Sequence, residues 1–295
     1  MPMSDNPSVH VSVMLDETLE WLDPQPGQIV VDGTFGAGGH ARAFAERVGP
    51  DGQVIGIDRD PAAVDRGKAT LGELPIRVVQ GNYCDLPEVL KELELPAVDA
   101  VLLDLGLSSD QLADRERGFS FSGPGPLDLR FDPTRGEPTW RTINRLSEAN
   151  LADLIYEFGE ERYSRRIARQ IVKRRHTDPI RTAADLADLV RRCVPKSPHS
   201  KIDPATRTFQ ALRIAVNDEL KSLDIALRRL PECLATGGRV AIISFHSLED
   251  RRVKQAFRDD DRYDALTKKP IRPTPDEVQR NPRARSAKLR IARRT

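Results

Sequence analysis

The sequence predicts an α/β fold, a doubly wound parallel sheet interrupted by an all-helical insertion. Three observations predict it. Short apolar, β-branched runs alternate with helical stretches through the first 110 residues. A long interval without strand signal follows, and a strand signal then returns near residue 239. Continuous apolar strands separated by helices are the mark of a parallel sheet covered on both faces.

The strand runs are 28–32 (QIVVD), 53–58 (QVIGID), 76–80 (IRVVQ) and 98–105 (VDAVLLDL). Helical stretches near 40–48, 61–72 and 86–93 lie between them. Residues 117–138 are crowded with Gly and Pro and read as an irregular loop. Residues 140–192 read as helical, 195–204 as a second breaker-rich stretch, and 206–230 as one long helix. The run 239–245 (RVAIISF) resumes the sheet, and 287–292 (AKLRIA) alternates as an antiparallel edge strand would. The expected division is therefore 1–111 and 206–295 for the α/β domain, with 112–205 as the helical insertion.

The chain of 295 residues is 39% hydrophobic and 31% charged, the balance of a globular protein. No apolar run approaches the roughly 20 residues of a membrane span, and no secretion signal is apparent. Cys84, Cys193 and Cys233 are far apart, odd in number and without metal-ligand spacing, which points to the cytoplasm and to no bound metal. The net charge of +1 hides an asymmetry. Residues 1–110 carry 7 Lys and Arg against 19 Asp and Glu. Residues 162–214 carry 14 against 4, and residues 262–295 carry 11 against 3. Basic blocks of this kind suit a phosphate backbone, or are ordinary solvated surface.

The first strand ends in Asp32-Gly33-Thr34-Phe35-Gly36-Ala37-Gly38-Gly39-His40. Glycines let such a loop turn sharply and approach a ligand closely. In open α/β sheets the ligand crevice lies outside the carboxyl ends of the strands. Asp58, which can accept from a ribose diol, ends the second strand and Asp104 the fourth, while Tyr83 follows the third. A dinucleotide would bring a pyrophosphate to the helix start. Carboxylates at Asp32 and Asp104 suit a cationic ligand better, which favours S-adenosylmethionine over NAD. His246 with Ser244, Ser247, Glu249 and Asp250 lacks the G-x-S-x-G elbow of a hydrolase; Ser247-Leu248-Glu249-Asp250 reads as a helix start, and a substrate-loop role for His246 stays open.

Ten runs, in order over nearly the whole chain, resemble the bacterial ribosomal RNA small subunit methyltransferases that modify the N4 of a cytidine in 16S rRNA. They are 10–17 (HVSVMLDE), 31–40 (VDGTFGAGGH), 57–61 (IDRDP), 102–109 (LLDLGLSS), 117–121 (RGFSF), 125–136 (GPLDLRFDPTRG), 163–171 (YSRRIARQI), 204–216 (PATRTFQALRIAV), 242–250 (IISFHSLED) and 281–291 (NPRARSAKLRI). The resemblance implies a class I, Rossmann-like methyltransferase sheet with an inserted helical substrate-binding domain. It implies donor contacts at Gly38, Gly39, His40, Asp58, Tyr83, Asp104 and Gln111, and no metal. Asp104 and the backbone of Leu105-Gly106 are the candidates to accept from the amine and take its proton, the alternative being that Asp104 serves only the donor. The implied partner is 16S rRNA, within the small ribosomal subunit or alone, and the oligomeric state is open between monomer and homodimer.

Two features bear on RNA. Arg162, Arg166, Arg169 and Lys173 recur as one helical stripe, opposite the apolar Tyr163, Ile167 and Ile171. The stretch 283–294 (RARSAKLRIARR) is also basic. Phe119, Phe121 and Phe131 in the Gly/Pro-rich loop either clamp an unstacked base or anchor that loop to a core.

Overall fold

The computed structural model describes residues 11–121, 125–195 and 202–295. Of the breaker-rich stretch 195–204, residues 196–201 lie outside the described residues, as does His10. The chain forms two compact units, Met1–Gly106 with Ser222–Thr295, and Leu107–Lys221.

In the first unit, helix α1 (Leu15–Leu22) precedes β1 (Ile29–Asp32), α2 (Gly39–Val48), β2 (Gln53–Asp58), α3 (Pro61–Thr70), β3 (Ile76–Gln80), α4 (Leu86–Glu92) and β4 (Val98–Asp104). These strands pair in parallel, with Val31 beside both Ile55 and Val101. The side chains alternate as period-2 strands must. Val31, Ile55, Val101 and Leu103 enter one core, while Val30, Val54, Ala100 and Leu102 enter the other. Both faces of the sheet are thus apolar, which is why the strand runs read as continuous rather than alternating.

The second unit holds α5 (Ser109–Ala113), α6 (Thr139–Arg145), α7 (Glu148–Gly159), α8 (Ser164–Arg175), α9 (Ala183–Cys193) and α10 (Thr206–Asn217). Its core gathers Ile143, Leu151, Ile155, Ile167, Ile171, Leu186 and Val190 with Phe209 and Leu212. That core is wider than the expected insertion of 112–205. Leu107 and Leu112 pack on it from one end, and α10 buries its apolar face there from the other.

The single helix expected over 206–230 is two. Asp218 adopts a left-handed conformation (φ 50°) and separates α10 from α11 (Glu219–Cys233), which runs back into the first unit. Asn217 explains the break. Its Nδ2 donates to Leu129 O at 2.7 Å and to Arg213 O at 3.0 Å, and its Oδ1 accepts from Phe131 N at 2.7 Å. The side chain thereby serves two backbone groups of the Gly/Pro-rich loop, where Leu129 is itself left-handed (φ 61°). Asn217→Ala would strand both groups, each costing about 1–3 kcal/mol when buried. The expected result is a loss of about 3 kcal/mol, read as a lower urea midpoint.

The first unit then closes with β5 (Leu234–Ser244), α12 (Ser247–Asp259), β6 (Tyr263–Ala265), α13 (Pro275–Arg280) and β7 (Lys288–Arg294). The complete sheet has seven strands in the order β3-β2-β1-β4-β5-β7-β6. The last basic run is antiparallel, as expected, but it is no edge. It lies between β5 and β6, pairing Ile242 with Arg290 and Asp264 with Arg293. Three residues of β6 are too few to show alternation in the sequence.

No helix among the described residues is long and apolar enough to cross a membrane. Cys84, Cys193 and Cys233 are free and buried.

Candidate functional site

Four parallel strands deliver their carboxyl ends to one rim of the first unit, and the loop after β1 is built onto that rim by its own backbone. Gly33 N donates to Leu102 O and Phe35 N to Ile57 O, both at 2.9 Å. Gly36 N donates to Asp58 Oδ2 at 2.7 Å. Gly38 turns the chain with φ 78° and starts α2, so Gly39 and His40 form that helix's first turn.

Phe35 locks the loop beneath. It is 3% exposed, and its ring fills a slot left by three glycines from different elements. A Cβ would come within 2.7 Å of the ring at Gly38, 2.4 Å at Gly56 and 2.6 Å at Gly67. Tyr83 stands beside the loop, its Cβ 3.0 Å from the position a Gly33 Cβ would take.

The acids occupy three settings. Asp58 is half-buried; its Oδ2 accepts from Gly36 N and its Oδ1 from Asp60 N. Each oxygen keeps a second lone pair, the number a ribose diol needs. Burial pushes its carboxyl up, against the backbone donors. Asp32 is 1% exposed and accepts from Thr34 N at 3.2 Å; burial pushes its carboxyl up to about 7. Asp104 has 20% of its side chain exposed. Burial first, then the Asp32 charge, pushes it up to about 8. Its Oδ1 is buried without a hydrogen-bond partner among the described residues. Thr34 Oγ1 accepts from Asp104 N at 2.7 Å and ties the ends of β1 and β4 together.

His40 is 5% exposed. Its Nε2 lies 3.1 Å from Val13 O. A carbonyl only accepts, so the proton sits on Nε2 and the Nδ1 side faces Asp104 Oδ2 at 4.0 Å. The Val13 carbonyl is held from the far end of the chain. Met14, left-handed at φ 52°, donates its N–H to Glu277 Oε1 at 2.6 Å. Asn281 Nδ2 donates to Val11 O at 3.0 Å. Glu277→Ala removes the acceptor of a buried backbone N–H, worth about 1–3 kcal/mol. A stability loss of that size is expected, together with a changed His40 ring nitrogen shift by NMR. Glu277→Gln, which keeps an acceptor, should restore much of both.

The rim therefore brings together Gly38, Gly39, His40, Asp58, Tyr83 and Asp104. Gln111 belongs to the helical unit, where it closes a capping box. Gln111 N donates to Ser108 Oγ, and Gln111 Oε1 accepts from Ser108 N, both at 3.1 Å. The sequence reading missed Thr34, Phe35 and Glu277. Phe35 stood in the noted loop, but its three glycine partners are scattered along the chain. α12 starts at Ser247 as expected, and His246 is its cap, with Glu249 completing the box.

The RNA candidates divide. Arg166, Arg169 and Lys173 are exposed on α8, opposite the buried Ile167 and Ile171. Arg162 is exposed but precedes the helix, its guanidinium 4.9 Å from the Tyr163 ring centre, so the helical stripe is one residue shorter than expected. Arg169 leans on Glu148 at 3.4 Å, an exposed pair of small energetic weight. Phe119 and Phe121 have packing roles in this structure. Phe119 is 5% exposed and stacks on Phe131 at 6.0 Å; Phe121 meets Phe209 edge-on at 4.7 Å. The basic run 283–294 is mostly committed within its own unit. Lys288 and Arg290 both bind Asp250, at 3.0 and 2.7 Å, Arg293 binds Asp264, and Arg294 donates to Leu234 O.

The profile of the MraW methylase family matches residues 7–295. A relative from Rhodopirellula baltica, named ribosomal RNA small subunit methyltransferase H, is 54% identical over 296 residues, covering 97% of this chain and 91% of its own. Relatives of the same name from Sorangium cellulosum and Thermomicrobium roseum are 50% and 47% identical, again over 97% of this chain and 90% and 94% of theirs.

Proposed function

The chain belongs to the MraW methylase family, and from that premise we propose that it moves a methyl group from S-adenosylmethionine to the exocyclic N4 of one cytidine in 16S rRNA. The observation that carries the donor half is the acid pair at the rim. Asp32 and Asp104 are held where burial disfavours their charge, and Asp104 Oδ1 has no partner among the described residues. A cationic ligand relieves that cost, whereas a pyrophosphate would add to it. S-adenosylmethionine supplies an already activated methyl on a sulfonium, so no metal is needed to polarise the leaving group.

The residues then have separate work. The Phe35-anchored glycine loop and the start of α2 fit the donor's amino-acid end. Asp58 fits the ribose diol and Tyr83 the adenine face. Gln111, of the helical unit, is a further polar donor contact in this reading. The N4 lone pair is delocalised into the cytosine ring, so positioning it in line with the methyl–sulfur bond supplies most of the rate. Asp104 accepts from the amine and takes its proton after transfer; a carboxyl pushed up to about 8 holds that proton well near neutrality.

The names of the relatives support small-subunit rRNA as the acceptor, and the exposed cations of α8 support contact with its phosphates. This reading puts the work in the cytoplasm. The test is transfer of labelled methyl from S-adenosylmethionine to unmodified small subunits, followed by nucleoside mass mapping. N4-methylcytidine at one position is the expected product. Methylation at carbon 5 or on another base would refute the N4 assignment. Charge reversal at Arg162, Arg166 and Arg169 should weaken rRNA binding about tenfold or more while sparing donor affinity. Equal loss of both would refute that division of labour.

A further inference from the structure

The cations of the C-terminal segment differ in what they already hold and in which end of the sheet they occupy. β7 runs antiparallel to β5, with Lys288 opposite Ser244 and Arg293 opposite Arg239. Ser244 follows Ile243, which pairs with Asp104. The segment that leads into β7 therefore enters the sheet at the rim of Asp104 and His40, and Arg293 marks the opposite end. Two hydrogen bonds fix the same segment to that rim, Glu277 to Met14 N and Asn281 to Val11 O. The half-buried Arg283 charge is felt by Asp104.

Three arginines on this entering segment are exposed: Arg272, Arg280 and Arg285. None forms an ion pair within 4.0 Å among the described residues; Arg280 donates to Asp276 O and its charge is felt by Glu277. Their neighbours further along, Lys288, Arg290 and Arg293, are all neutralised by Asp250 or Asp264. Exposed guanidiniums without an ion-pair partner are suited to phosphate oxygens. The donor is cationic and cannot supply them.

We infer that Arg272, Arg280 and Arg285 form a second RNA contact, built on the methyltransferase unit itself, which binds the phosphates flanking the target cytidine at the mouth of the donor site. The inference rests on the proposed RNA substrate. It differs from the α8 cations by its place. α8 lies in the helical unit, whereas this trio lies on the segment whose Glu277 and Asn281 bond Met14 and Val11. Phosphate contacts position a strand without reading its sequence, so the trio would set where the base enters rather than which base is chosen.

The experiment compares two full-length triple variants of equal charge loss. One is Arg272→Ala, Arg280→Ala, Arg285→Ala. The other is Arg47→Ala, Arg258→Ala, Arg293→Ala, whose residues are exposed at the C-terminal ends of α2 and α12 and at the far end of β7. Affinity for unmodified small subunits is measured against salt, and S-adenosylmethionine affinity by titration calorimetry. Each phosphate contact contributes about 0.7–0.9 to the slope of log affinity on log salt. The rim variant should lose about two units of slope and keep its donor affinity, while the far-end variant keeps both. Equal slopes in the two variants would overturn the inference, as would competition by polyglutamate as strong as by RNA. If the unaltered protein binds no RNA, the substrate reading falls, and this inference with it.

Discussion

Asp104→Asn is expected to weaken S-adenosylmethionine binding by about tenfold to a hundredfold at pH 8 and, in the same protein, to raise the thermal midpoint of the ligand-free state above that pH. Both effects come from one carboxyl. Burial and the neighbouring Asp32 push it up to about 8, so the free fold holds its charged form only reluctantly. A cation makes that charge useful. Hydrogen bonds to charged groups are worth about 1.5–3 kcal/mol, which sets the affinity loss. The sign of the pH dependence follows. A carboxyl raised above its unfolded value of 3.8 stabilises the ligand-free fold fully below that pH, and the contribution is lost progressively as pH rises from about 4 to about 8. Donor binding behaves oppositely, requiring the ionised form and weakening as pH falls below about 8. Calorimetry of the unaltered protein in two buffers of different ionisation enthalpy should show proton release on binding, and Asp104→Asn should release fewer. Unchanged proton release would remove Asp104 from the donor site.

The second large effect is Phe35→Ala. The ring is 3% exposed and fills a slot walled by Gly38, Gly56 and Gly67. Truncating a buried Phe costs about 3–5 kcal/mol, which for a protein of this size lowers the thermal midpoint by roughly 10 °C. The loop above it should loosen, so donor affinity is expected to fall further than the stability loss alone would cause. A companion variant sharpens the point. Gly67 lies inside α3, where helix propensity favours Ala by about 1 kcal/mol. Gly67→Ala should nevertheless destabilise, because its Cβ would come within 2.6 Å of the Phe35 ring. A stabilised Gly67→Ala protein would show that the slot can relax.

That case also shows where the sequence was legible. The four parallel strands, the glycine loop and the acids at the strand ends were readable because each is written in adjacent residues. Phe35 was not, since its partners Gly56 and Gly67 matter for the room they leave rather than for backbone freedom. The break after Asn217 was invisible for a similar reason. No Gly or Pro marks it, and its cause is a side chain serving the backbone of residues 129 and 131. The basic stretch 283–294 misled in the other direction. Its charges are real, but Asp250 and Asp264, remote in sequence, absorb most of them. The helical unit is wider than 112–205 because α10 is amphipathic, and periodicity alone does not say which core an apolar face will join.

The bond from Glu277 to Met14 has a consequence for synthesis. The peptide emerging from a ribosome presents Val13 and His40 early, yet the acceptor that fixes them is translated some 240 codons later, after the whole helical unit. β7, inserted between β5 and β6, comes later still. Until residue 277 has left the exit tunnel, the nascent chain has its glycine loop but not the bond that fixes Met14 beside it.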